Sequence, residues 1–146
     1  MLFQFVIGWG LMSLCVVIHA TGVIAAVRGF RGSVAAERSF WLGTWLFVRL
    51  ATWIVVLHLV EITAWALVYD WTRAMPDLAS ALYFSAVTYT TTGYGDLLLP
   101  QDWRLVGAIE AVTGILMCGW STGFFFLVVS RVFSPEIDRD DSVKRG

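Results

Sequence analysis

At 146 residues, 58% of them hydrophobic and 14% charged, with a mean hydropathy of +0.74, the chain is too apolar for a soluble domain; such domains are about one quarter charged. A formal net charge of -1, with no cluster of arginines, excludes a phosphate backbone as partner, and nothing suggests a small-molecule substrate. The two cysteines, Cys15 and Cys118, fall in apolar stretches, which reads as burial rather than a disulfide or a metal site.

Residues 1–27 are nearly continuous apolar sequence, and Leu2 to Val27 carries no charge. At roughly 1.5 Å per residue it is long enough to cross a hydrocarbon core of about 30 Å. It lacks the basic start and the cleavage signal of a secretory leader, so it is expected to be a retained spanning helix. Residues 28–39 interrupt it with Arg28, Gly29, Arg31, Gly32, Glu37 and Arg38 and read as a connector. The second span is expected over 40–71, with Trp41 and Trp45 near one end and Trp65, Tyr69 and Trp71 near the other, as in an interfacial aromatic belt.

Pro76 and Asp77 then form a helix-start signal. The apolar helix they open, 77–89, is too short to span and is expected to be re-entrant, which requires protein or a water-filled cavity around its free backbone groups. A polar run, Thr90-Thr91-Thr92-Gly93-Tyr94-Gly95-Asp96, follows it, then a loop with Pro100, a last span over 103–133, and a charged tail over 134–146. Eight of the ten Lys and Arg residues flank the first connector and the tail, so the positive-inside rule places both in the cytoplasm of a cell-membrane protein, with the N-terminus outside.

The polar run closely resembles the selectivity filter of potassium channels, and Ala81 through Asp96 resembles the pore helix and filter of bacterial two-helix potassium channels, with Trp103 to Phe126 similar to their inner helix. The first span is an addition to that plan. The resemblance implies an all-α membrane protein of three transmembrane helices plus one re-entrant pore helix per subunit, a homotetrameric pore in the lipid bilayer, and passive potassium conduction rather than enzyme activity. Potassium ions would lose their water to oxygens of Thr91, Thr92, Gly93, Tyr94 and Gly95. Successive carbonyls reach one axis when the backbone alternates between right- and left-handed regions, which glycine does without a Cβ penalty. Thr91 would add a hydroxyl layer, Tyr94 would pack outward against neighbouring helices, and a ring of Asp96 would concentrate cations at the mouth. A weakly selective cation channel and a non-conducting potassium-sensing subunit are the alternatives.

Several positions depart from that family. Val87 stands where many simple members have a glutamate, Thr92 where they have valine, and Tyr83 and Phe84 where they have tryptophans, so the filter must be braced differently. Glu110, costly inside a span, is expected either to support the pore helix in place of the glutamate missing at Val87 or to line a cavity. Gly114 is the hinge candidate of the last helix, and Phe124, Phe125 and Phe126 are candidates for a dewetting constriction, two of the three turning to lipid or the outer helix. His58 and Glu61, spaced i, i+3, suggest a mutual hydrogen bond or a proton sensor. His19, His58 and the cysteines lie in separate segments and form no nucleophile and base constellation. Arg49 is too solitary for a voltage sensor, and Glu136, Asp138, Asp140 and Asp141 read as a solvated acidic tail.

Overall fold

A computed structural model describes the backbone over residues 2–36 and 40–144 and the side chains over 2–29 and 41–130. The connector charges Arg31, Glu37 and Arg38, and the tail from Arg131 onward, therefore lie outside the described side chains. The elements are α1 (Leu2–Ala36), α2 (Phe40–Trp71), α3 (Leu78–Tyr89), a 3-10 turn (Gln101–Trp103) and α4 (Arg104–Lys144). Three stretches, Leu2–Gly29, Trp41–Trp71 and Gln101–Ser130, are long and apolar enough to cross a membrane, while Leu78–Tyr89 is half that length.

The helices run further than the charge pattern suggests. α1 continues through most of the expected connector to Ala36, and α4 passes Pro135 to reach Lys144. Extending a formed helix costs far less than nucleating one, and no proline interrupts 28–36.

α1 is apolar on every side but buries one stripe: Gly8, Leu11, Cys15, His19, Gly22 and Ala26 recur at helical spacing and face α4 and α2. Glycine allows close approach at two of these positions. A Cβ on Gly22 would stand 2.3 Å from Leu57 Cδ2, and one on Gly8 would meet Ile109 Cδ1 at 2.9 Å. The Trp53 indole N–H also donates to the Gly22 carbonyl at 2.9 Å. α3 wedges between α2 and α4, so that Trp65, Tyr69, Phe84, Tyr89, Val106 and Met117 meet in one core. The opposite faces of the long helices present exposed Leu, Val, Ile and Trp, the reverse of a soluble surface.

Candidate functional site: the segment after the half-length helix

α2 stops in a left-handed turn. Arg73 has φ 56°, and the Tyr69 carbonyl accepts from Ala74 N–H at 2.9 Å and Met75 N–H at 3.3 Å. The chain then reverses into α3, where the extended Asp77 caps the helix by accepting from Ser80 N–H at 2.8 Å. That backbone N–H holds the Asp77 carboxyl below the usual carboxylate range. α3 buries Ala81, Phe84, Ser85 and Tyr89 and turns its C-terminus towards the polar run.

The run is tied back to the helix by its own hydrogen bonds. Thr91 N–H donates to Thr88 O at 2.9 Å, Gly93 N–H to Val87 O at 3.0 Å, and the Thr90 hydroxyl to Ala86 O at 2.7 Å. Val87 therefore contributes a main-chain acceptor where a carboxylate would have contributed a side chain. Left-handed φ values recur at every second residue: Thr91 at 59°, Gly93 at 52° and Gly95 at 77°. Glycine takes this region freely, whereas a β-branched threonine pays about 1–3 kcal/mol to occupy it. The surrounding bonds impose that conformation on Thr91.

Residues 90–96 are exposed on the single chain, and Tyr94, at 72%, packs on none of its helices. The outward packing expected of Tyr94 finds no surface within the chain itself. Tyr83 takes up a bracing contact instead, donating its hydroxyl to Asp96 Oδ2 at 2.8 Å, a bond that pushes the Tyr83 phenol above its ordinary range. Phe84 lies edge-on to Tyr69 at 5.6 Å, braced by packing alone.

Glu110 is fully buried behind α3. Ser85 Oγ lies 2.5 Å from Glu110 Oε1 and 2.9 Å from Ile62 O, and the Tyr69 hydroxyl donates to Glu110 Oε2 at 2.8 Å. Ser85 has one hydrogen for two acceptors, the Ile62 carbonyl and Glu110 Oε1, so a neutral Glu110 carboxyl would supply the hydrogen that completes all three contacts. Glu110 therefore joins α2, α3 and α4.

Gly114, the hinge candidate, also makes a close contact. α4 is unbroken through it, and a Cβ there would stand 1.9 Å from Tyr89 O, so the glycine admits the end of α3 against α4. Of the three phenylalanines, Phe124 packs with Ala26 and Leu50, and Phe125 lies 5.9 Å from the Phe47 ring. Phe126 alone of the three turns away from the bundle, 70% exposed.

A second buried polar group lies deeper along the bundle. His19 Nδ1 is 2.9 Å from Glu61 Oε1, and the Tyr89 hydroxyl donates to Glu61 Oε2. His58 Nδ1 is 3.1 Å from that hydroxyl and 3.7 Å from Glu61 Oε2, so the expected His58–Glu61 hydrogen bond is replaced by one routed through Tyr89. Ser121 Oγ lies 2.9 Å from His19 Nε2 and 3.1 Å from His58 Nε2. The separate placement of His19 and His58 is thereby corrected: α1 and α2 pack them with ring centroids 5.3 Å apart. Sequence reading left Ser85, Tyr89 and Ser121 without partners and put Tyr69 in an interfacial belt, which its full burial corrects. Their signal was available as polar atoms on otherwise apolar helix faces, each needing a partner.

No curated protein and no solved structure matches the chain. A family model described as ion channel matches residues 53–131, just over half of the chain, beginning within α2 and ending within α4. The matched region holds the half-length helix, the run with alternating left-handed residues, and the two long helices that flank them, leaving α1 outside, and the chain belongs to the ion channel family.

Proposed function

We propose that the chain conducts potassium ions passively and selectively, as a homotetramer whose four copies of Thr91 to Gly95 surround one axis. The observation that carries this reading is the left-handed φ at Thr91, Gly93 and Gly95. With alternate residues left-handed, successive carbonyls turn to the same side of the strand, the arrangement needed to replace the hydration shell of an ion at several sites in file. The Thr91 hydroxyl supplies a further oxygen layer, Asp96 an acidic ring at the outer mouth, and Phe126 the apolar side chain best exposed to constrict the other end. Tyr94 finds its packing surface on the adjacent subunit. The tetramer sits in the cell membrane with the mouth and the N-terminus outside and the tail in the cytoplasm, an orientation that rests on the Lys and Arg distribution.

The test is purified protein reconstituted in liposomes, with reversal potentials measured in mixed sodium and potassium. A reversal close to the potassium equilibrium potential is the expected result. Equal permeability to sodium would leave a weakly selective cation channel. Potassium binding without flux would leave a non-conducting sensor.

A further inference from the structure

The deeper polar group is a closed ring. Glu61, His19, Ser121, His58 and Tyr89 each touch the next through one pair of polar atoms, and the Tyr89–Glu61 contact closes the circuit. The ring draws on all four α-helices: His19 from α1, Glu61 and His58 from α2, Tyr89 from α3 and Ser121 from α4. Its members are buried, except that His58 keeps 17% of its side-chain surface. Cys15 on α1 and Cys118 on α4 are the other titratable groups near enough to feel the charge of Glu61.

Counting hydrogens decides what this ring must hold. Five contacts need five hydrogens. Ser121 and Tyr89 supply one each and two neutral imidazoles supply one each, so an ionised Glu61 leaves one contact with two acceptors facing each other. One more hydrogen completes every bond, either on the carboxyl or as an imidazolium opposite the carboxylate. Both forms are neutral overall, as a site inside an apolar bundle requires. The Ser121 hydroxyl, within reach of both Nε2 atoms, can point to either histidine, so the extra hydrogen is shared across it.

We propose that this ring is a proton-binding site, holding one dissociable proton per chain, which fastens α1 to the end of the pore helix. The proton exchanges at His58, the ring member with the most exposed surface. When it leaves, Glu61 keeps its bonds from His19 and Tyr89. The missing bond then falls on the arc Tyr89–His58–Ser121–His19. Within that arc the Ser121–His19 contact ties α4 to α1, so when the missing bond falls there α1 loosens from α4 while the His19–Glu61 bond still holds it to α2. The helix outside the matched family region thus acquires a ligand-dependent attachment.

The experiment uses the full chain in lipid nanodiscs with 15N-labelled histidine, followed by NMR from mildly acid to mildly alkaline pH, with amide exchange of α1 as second readout. In the wild type the His19 and His58 signals are expected to move together in one transition of one proton, with α1 exchange rising about tenfold, as for one lost buried hydrogen bond. Glu61→Gln supplies a donor and an acceptor from a neutral carboxamide and completes the ring without the proton, so it should abolish the transition and keep α1 protected throughout. If Glu61→Gln does not fold, Ser121→Ala serves, because removing two contacts also removes the need for the fifth hydrogen. Independent titration of the two histidines, or a transition that survives in either variant, would overturn the proposal. So would one Zn2+ bound tightly per chain on addition of the metal alone, which would show that a metal ion completes the group. None of these readouts uses ion flux, so the proton site and potassium conduction can fail separately.

Discussion

Two buried acids sit on the same bundle and are held in different ways. Glu110 is enclosed by Tyr69, Ser85 and the Ile62 carbonyl, all within the pore region that the ion channel family model covers. Glu61 is met by Tyr89 and His58 of the same region, but also by His19, which α1 brings in from outside it. Each acid is short of one hydrogen when ionised. Only Glu61 is surrounded by groups that can exchange that hydrogen among themselves. The Glu110 group, with two hydroxyls and a carbonyl, is a brace; the Glu61 group, with two imidazoles, is a brace with a titratable joint.

Variants can break this distinction at either acid. The largest loss is expected for Glu110→Ala, which strands the Ser85 and Tyr69 hydroxyls and opens a cavity behind α3, at about 3 kcal/mol or more in thermal unfolding of the reconstituted protein. A variant as stable as the wild type would remove Glu110 from the brace. Gly114→Ala comes next, at about 1–3 kcal/mol, because its methyl group must displace the end of α3 from α4. It lies on α4 between Glu110 and Ser121 and should weaken both groups, seen as faster amide exchange around Ser85 as well as around His19.

Glu110→Gln should cost under about 1 kcal/mol, since a carboxamide donates to Ser85 and accepts from Tyr69 and so replaces the missing hydrogen. A loss as large as that of Glu110→Ala would show that the charge of the carboxylate matters rather than its hydrogen count. The smallest effect is expected at Asp77. Its carboxyl sits below its ordinary range when folded, so its capping contribution is present above the unfolded value and is lost as pH falls through the folded one. Amide exchange at Ser80 should therefore rise only on acidification, and in Asp77→Ala it should be raised at every pH.

The membrane-spanning helices were legible because an apolar stretch longer than a bilayer core admits few other readings. The short helix was equally clear, since Pro76 and Asp77 open it and a glycine-bearing run closes it. Glu110 could be singled out as an acid where none is cheap, but its partners could not, because Tyr69 and Ser85 lie 41 and 25 residues away and reach it only when α2 and α3 pack on α4. The same holds for His19, whose link to Ser121 spans 102 residues. Gly114 illustrates a different gap. A glycine in a helix reads as a bend, and only the position of Tyr89 O shows that it is a contact.

By itself, then, the sequence determined three long apolar helices, a half-length one and the glycine-bearing run after it, because length, hydropathy and turn chemistry act within a few residues of one another. The tertiary structure alone decided which polar atoms meet. Hydrogen bonds inside an apolar bundle are satisfied across helices, and the close approach of α3 to α4 at Gly114 depends on where Tyr89 O falls rather than on any local pattern.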